Sequence, residues 1–394
     1  MNIKNNNTVE CSFCNAKTNS SQLVVMRSGL ICAQCVKRCA ELINQEQGNR
    51  EQPQLIPSAL KAVLDQHVIG QDKAKKCLAV AVYNHYKRHL NPDGVVIDKS
   101  NVLMVGPTGT GKTLLVKSLA KSLNVPIALN DATSLTGAGY VGEDVESVLL
   151  RLLRAANNDL ELAQRGIVYI DEIDKLAPKG GKSSQSVTRD CVATTDVQEG
   201  LLKILEGSKV SVPLVGGRRH PQQETIEMDT TNILFICSGA FDGINDIVKR
   251  RLGGESIGFT KVVKKPETGR IIREDLVEYG LIPEFIGRFS AIVELEKLTK
   301  EEMLQILTEP KNSILNQYSK LFALDSTNLE FTPDALEEIV NLAMRSNSGA
   351  RDLRGILEDA LTELMFTAPD KKQDSIVIDK PFLLEALKER FVFD

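Results

Sequence analysis

"NVLMVGPTGTGKTLLVKSLAKSL", residues 101–123, decides how the rest of the chain is read. It starts as a short apolar run, crosses a loop with three glycines, and continues with apolar residues at helical spacing. The loop "GPTGTGKT", residues 106–113, satisfies G-x-x-x-x-G-K-[ST] in full, in the strand–loop–helix setting where that pattern cradles phosphate. Glycines let backbone N–H groups close on phosphate oxygens, and the start of a helix favours an anion. Pro107, Thr108, Gly109, Thr110, Gly111, Lys112, Thr113 and Leu114 are therefore the candidate nucleotide-binding residues. Lys112 is expected to reach the β- and γ-phosphates, and the Thr113 hydroxyl to ligate Mg2+.

Fifty-nine residues beyond Lys112, "GIVYIDEID" ends a second apolar run in acids. Asp171 at a strand end can hold Mg2+, often through water, and Glu172 beside it can polarise a water for attack on a γ-phosphate. Asp174 and Lys175 read as structural. The chemistry implied is hydrolysis of a nucleoside triphosphate; it does not say what work is done.

The surroundings fit an α/β layer architecture with a parallel sheet. "NVLMVG" (101–106), "GIVYID" (166–171) and "NILFICS" (232–238) look like buried parallel strands separated by helical patterns. From about residue 296 helical patterns dominate, as in "TKEEMLQILTEPKNSILNQYSKLFA" and "TPDALEEIVNLAMRS". Thr299 and Thr332 are candidate N-caps, and only Thr299, with Glu302 three residues on, fits a capping box. The expected division is 1–45, a linker over 46–58, a large domain over 59–295 and a small one over 296–394.

A formal net charge of −4 in 394 residues gives no argument for a nucleic acid or an anionic membrane as partner. No apolar run approaches the ~18 residues of a membrane helix, and "MNIKNNNTVE" lacks the pattern of a signal peptide, so a cytoplasmic location is expected. Five of the eight cysteines fall in the first 40 residues. "CSFC" (11–14) and "CAQC" (32–35) give C-x2-C-x17-C-x2-C, a four-thiolate zinc spacing, with Cys11, Cys14, Cys32 and Cys35 as ligands. Cys39 reads as a packed bystander, and Cys77, Cys191 and Cys237 as small buried hydrophobes. Nucleic-acid binding and protein binding compete as roles for this unit. Its five Lys/Arg against two Asp/Glu are a small basic surplus, which favours protein interaction or dimerisation.

Further stretches carry a resemblance. "VIGQDKAKKCLAVAVYNHYKR" (68–88), the phosphate loop, "GYVGEDVE" (139–146), "GIVYIDEIDK" (166–175), "GGRRHPQQE" (216–224), "GLIPEFIGRF" (280–289) and "GARDLRGILEDAL" (349–361) follow the zinc unit in order. In that order and spacing the chain resembles, nearly end to end, the ClpX family of AAA+ unfoldases. The resemblance implies an AAA+ P-loop NTPase large domain with a parallel sheet, a small mainly helical lid and an N-terminal zinc-binding domain. It implies a homohexamer using ATP, Mg2+ and Zn2+, a separate ClpP-type peptidase, and protein substrates and adaptors met through the zinc unit. By the same resemblance Val68 and Ile69 line the adenine pocket, Arg288 reaches a neighbouring subunit's γ-phosphate, and Arg351 senses nucleotide from the lid. Tyr140 and Val141 would grip polypeptide in a central pore; Arg218, Arg219 and His220 form a second, basic pore loop. Ile257, Gly258 and Phe259 would dock on the peptidase.

Some positions depart from the family pattern. "TRDCVATTDVQEGLL" (188–202) has Thr194, Thr195 and Asp196 where small and acidic residues are usual, and Ser238 stands where a glycine is usual. A remodelling chaperone working without a peptidase is the runner-up, and the I-G-F tripeptide argues against it. A DNA-acting AAA+ protein with a zinc finger is a third reading, opposed by the near-neutral charge and the Tyr-Val loop.

Overall fold

The computed structural model describes residues 8–14, 16–19, 23–26, 29–39, 56–88, 97–136, 143–178, 189–214, 224–253, 269–310, 313–346, 348–371, 374–388 and 390–391. The chain divides into two compact units, Met1–Leu55 and Ile56–Asp394.

In the first unit β1 (Thr8–Glu10) pairs antiparallel with β2 (Lys17–Asn19), and β3 (Leu23–Met26) with β4 (Gly29–Cys32). A short helix, α1, covers residues 33–39. Among the described residues the buried apolar cluster here is Cys11, Ile31 and Cys32, with Cys35 packed against it. So small a cluster cannot offset the entropy of ordering the chain.

The second unit opens with α2 (Pro57–Asp65) and α3 (Asp72–Lys87). Helix α2 starts inside the segment that composition assigns to a linker. Pro57 presets the first turn, and Leu60 and Leu64 give the helix a buried face. Then follow β5 (Asn101–Val105), α4 (Lys112–Leu123), β6 (Ile127–Asp131), β7 (Leu135–Thr136), β8 (Glu143–Asp144), α5 (Ser147–Ala155), α6 (Leu160–Ala163) and β9 (Ile167–Asp171). Next come α7 (Arg189–Glu206), β10 (Lys209–Pro213), β11 (Thr225–Asp229), β12 (Leu234–Gly239), α8 (Ile244–Gly253), α9 (Arg273–Tyr279), α10 (Pro283–Gly287) and β13 (Phe289–Glu294).

The sheet runs β13-β5-β12-β9-β6, and every adjacent pair is parallel. All residues of β5 and β12 are buried, as expected where helices cover both faces. Two strands lie beyond the three expected from apolar runs. β6 alternates buried Ala128 and Asn130 with exposed Leu129, because it is an edge, and β13 is only partly buried at the other edge. The carboxyl ends of β5, β12 and β9 meet at the phosphate loop: Gly106 N–H donates to Gly239 C=O at 3.2 Å. Crevices at the carboxyl ends of parallel strands are where ligands bind in such sheets.

A separate core begins at Leu298 and runs to Leu387. It holds α11 (Lys300–Thr308), α12 (Ile314–Leu324), β14 (Asn328–Phe331), α13 (Pro333–Arg345), α14 (Arg351–Lys371), β15 (Ser375–Ile378) and α15 (Lys380–Ala386). The long helical run from residue 299 breaks around Pro310 into α11 and α12. Thr299 makes the expected capping box: Glu302 N–H donates to its hydroxyl at 3.2 Å, and Thr299 N–H to the Glu302 carboxylate at 2.9 Å. Thr332 occupies the N-cap position of α13 without capping it; its hydroxyl donates to Ile378 C=O at 3.4 Å. That bond sits beside the parallel β14–β15 pair, which ties the lid's two non-helical segments together.

Candidate active site and metal centre

The phosphate loop takes its shape from where its glycines lie. Gly109 and Gly111 have φ of +75° and +92°, in the left-handed region that favours glycine. A Cβ on Gly109 would come within 2.3 Å of Ser348 C=O, so the loop touches the lid segment leading to Arg351. Lys112, on the first turn of α4, is buried; its Nζ donates to Gly106 C=O at 2.6 Å and Pro107 C=O at 2.8 Å. Burial pushes its pKa below the ordinary lysine value, against the pull of Asp171 and Asp174.

Thr113 donates from its hydroxyl to Asp171 Oδ2 at 3.1 Å. The other oxygen, Oδ1, accepts from the Ser238 hydroxyl and from Glu172 N–H at 3.0 Å. Tyr169 hydroxyl lies 2.6 Å from Ser238 Oγ and 3.3 Å from Thr113 Oγ1, closing a ring of hydroxyls around the carboxylate. Burial drives the Tyr169 pKa upward, so the phenol stays protonated and available as a donor. Glu172 sits at φ +58°, and this left-handed turn at the strand end points the chain into the cleft. Asp174 is buried and accepts from Ala240 N–H at 3.2 Å through Oδ1. Its Oδ2 finds no hydrogen-bond donor among the described residues; Lys175 Nζ is 3.6 Å away.

These groups line one open cleft of about 410 Å³. It brings together Thr108, Gly109, Gly111, Lys112, Thr113, Leu114, Asp171, Glu172 and, from the lid, Arg351. Pro107 and Thr110 instead line a smaller cavity of about 30 Å³ beside Leu298 and Met303. Val68 is buried against the loop, 3.5 Å from where a Cβ on Gly111 would lie, while Ile69 is half-buried; neither lines the larger cleft. Arg288 is outside the cleft and pairs with Glu206, its own carbonyl held by Asn101 Nδ2 at 3.1 Å. Tyr140, Val141, Arg218, Arg219, His220, Ile257, Gly258 and Phe259 lie outside the described residues, as does the Cys191 side chain.

Sequence reasoning noticed Ser238 only as a departure and passed over Tyr169. The missing information was register: Cys237 pairs with Ile170, which sets Ser238 beside Asp171 across 67 residues of chain. Asp242 also lines the cleft, presented by a turn in which bulky Phe241 takes φ +53° and Gly243 φ +87°.

The cleft suits a nucleotide with its magnesium ion. Among the described residues Lys112 is held by carbonyls that phosphate oxygens can replace. The Thr113–Asp171 pair and the undonated Asp174 oxygen supply oxygen donors of the kind Mg2+ takes.

In the first unit the sulfurs of Cys11, Cys14, Cys32 and Cys35 all lie within 4.8 Å of one another. Tetrahedral thiolates at the usual zinc–sulfur bond length stand about 3.8 Å apart, so this spacing fits zinc. Cys32 N–H donates to Cys11 Sγ at 3.3 Å and Cys35 N–H to Cys32 Sγ at 3.4 Å, bonds that support thiolate ligands. Backbone hydrogen bonding, from Cys14 first, pulls the Cys11 thiol down to about 6, while the Cys14 sulfur and then burial push Cys35 up to about 12. Four crowded sulfurs cannot all ionise without a cation among them, which a divalent ion supplies. Cys39 is half-buried and outside the cluster; Cys237 is fully buried, and Cys77 only partly.

Two family models match the chain: the AAA domain (Cdc48 subfamily) over residues 97–292, and the C-terminal, D2-small domain of ClpB protein over residues 298–375. ATP-dependent Clp protease ATP-binding subunit ClpX of Porphyromonas gingivalis is 48% identical over 393 residues, covering 94% of this chain and 94% of its own. Its counterpart in Borrelia duttonii is 47% identical over 399 residues, 97% of this chain and 92% of that one.

The chain belongs to the ClpX family.

A ClpX of Treponema denticola matches at 47% over 390 residues. Membership makes the large unit an AAA+ ATPase domain with a helical lid, preceded by a four-cysteine cluster. Among the described residues no helix is long and apolar enough to cross a membrane.

Proposed function

We propose that the protein is an ATP-driven unfoldase that threads folded proteins through a homohexameric pore into a separate ClpP-type peptidase. What supports this most is a phosphate-loop cleft, complete to its Thr113–Asp171 contact, in a chain alike from end to end to Clp ATP-binding subunits. Lys112 exchanges its two carbonyl partners for phosphate oxygens, recovering a counter-charge in a buried site. Thr113 and Asp171 would hold Mg2+, which would supply neutralising charge to the transferring phosphoryl group. Ser238 and Tyr169 keep Asp171 fixed while it does so. Glu172, carried out of the sheet by its left-handed turn, orients the attacking water and accepts its proton.

Arg351 answers the γ-phosphate from the lid. Arg288, which pairs with Glu206 outside its own cleft, serves a neighbour's. Tyr140 and Val141 grip the substrate without regard to sequence, and Arg218, Arg219 and His220 meet its tail. Ile257, Gly258 and Phe259 dock on the peptidase; six such loops in a ring gain by avidity. Val68 and Ile69 receive the adenine, and Zn2+ closes the four-cysteine unit, which meets substrates and adaptors.

The test is a folded, tagged reporter incubated with the protein and ATP, with and without a ClpP-type peptidase. Unfolding should require ATP alone, and degradation should require the peptidase as well. ATP hydrolysis with no unfolding under any condition would remove the proposal; unfolding that never leads to degradation would favour the peptidase-independent chaperone.

A further inference from the structure

Gln71 sits in an expensive conformation. Its φ is +59°, following Gly70 at +64°, so two successive left-handed residues turn the chain from Val68 and Ile69 into α3. Glutamine gains nothing locally there; glycine or asparagine would sit more easily. What it gains is 225 residues away. Its Nε2 donates to Glu296 C=O at 2.7 Å, and its Oε1 accepts from Glu296 N–H at 3.0 Å. One side-chain amide thus takes both backbone groups of one residue, as a neighbouring strand would.

Glu296 lies between the end of β13 and the start of α11, where the chain leaves the large core for the lid core. The same short segment is fixed from the other side. Leu295 N–H donates to Val105 C=O at 2.8 Å, and a Cβ on Gly106 would come within 2.7 Å of Leu295 C=O. Glu302, which caps α11, lies directly against Gly70. Among the described residues the other side-chain bond to Glu296 is an exposed ion pair at 3.0 Å from Lys73, in the first turn of α3, and such pairs contribute little.

We propose that Gln71 is a positioning residue that clamps the lid hinge to the Val68–Ile69 strap, so that the lid's angle follows the seating of the nucleotide base. This rests on the functional reading in one respect: the strap is taken to receive the base. The amide is specific to the task. Glutamate of equal length lacks the donor, and asparagine has both groups and tolerates left-handed φ but is one methylene short. Without the clamp the lid leans independently of the strap. The cleft then closes on nucleotide less often, and each closure delivers less motion to a substrate. The groups that act on phosphate are untouched.

The test uses the full-length protein with Gln71→Glu and Gln71→Asn, read by thermal melting, ATPase activity across ATP concentrations, and ATP consumed per reporter molecule unfolded. Expected is an unchanged melting temperature, a KM for ATP raised about fivefold, kcat within about twofold, and an ATP cost per reporter raised by about threefold or more. KM and ATP cost equal to the parent's in both variants overturn the proposal. So does a lower melting temperature with all activities falling together, which marks a structural joint. Failure of the parent protein to unfold the reporter would strike the functional reading instead, and the KM comparison would still decide the clamp.

Discussion

The phosphate cleft and the four-cysteine unit are both ligand sites, and they are built in opposite order. Beneath the cleft lie β5, β9 and β12, almost wholly buried, and the groups that face the ligand are already bonded to one another. The core makes the site. In the cysteine unit three of the described residues are buried, Phe13 is 71% exposed, and two of the three belong to the cysteine cluster itself. There the site makes the core. A sheet of five strands can hold a carboxylate in place and wait for its ligand; a segment of about 30 residues cannot.

The largest expected effect breaks that contrast if it fails. Cys14→Ser, or zinc removal by a chelator, should abolish ordered structure in residues 8–39 while ATPase activity stays within about twofold, since zinc supplies ~10 kcal/mol or more to such units. Metal analysis paired with circular dichroism of the isolated signal change would check it. A folded, metal-free N-terminal unit would contradict the contrast.

Next in size is Glu172→Gln. ATP binding should persist, because Lys112, Thr113 and Asp171 are unchanged, and turnover should fall by about 10²–10⁴-fold. Single-turnover hydrolysis with labelled ATP measures both. Near-normal turnover would take Glu172 out of its assigned role.

Ser238→Gly sharpens the comparison, since it loosens the hold on Asp171 without emptying the cleft. A hydrogen bond to a charged carboxylate contributes about 1.5–3 kcal/mol, so turnover should drop by about tenfold and the Mg2+ needed for half-maximal activity should rise. An unchanged Mg2+ dependence would mean that Asp171 needs no such support. Tyr169→Phe should move in the same direction by less, and the two changes together by less than their sum, because they act on one ring of hydroxyls.

The smallest effect concerns the underside of the sheet. Lys99 donates to Thr230 C=O at 2.7 Å and stands 4.5 Å over the Phe235 ring. Burial, with Arg88 adding to it against Asp229, pushes its pKa down to about 7. A lysine depressed in the folded state binds fewer protons there than when unfolded, so stability rises with pH between about 7 and the unfolded lysine value. The stability of Lys99→Met relative to the parent should therefore improve as pH falls from 9 to 7, by on the order of 1–2 kcal/mol. Denaturant unfolding at the two pH values checks the sign, and a constant difference would refute it.

How far the sequence carried depended on distance along the chain. The phosphate loop, the acid-ended strand and the cysteine pairs are contiguous patterns, and each was legible because its physics is local. β6 and β13 were not, since edge strands lack the unbroken apolar run that marked β5 and β12. Ser238 beside Asp171 and Gln71 on Glu296 were illegible for a different reason. Each depends on which strand or hinge arrives opposite, and that is set by packing of the whole domain. The start of α2 was hidden by its neighbours: a polar, proline-containing stretch conceals the point at which Leu60 and Leu64 begin to face inward.

Hydrogen exchange resolved along the chain, run on one preparation before and after complete zinc removal, tests most directly whether the core makes the cleft and the ion makes the cysteine unit. Residues 8–39 should lose protection entirely on chelation, while β5, β9 and β12 keep theirs unchanged, with no nucleotide present. Protection that survives chelation in residues 8–39, or that disappears from the three strands until nucleotide is added, would contradict it.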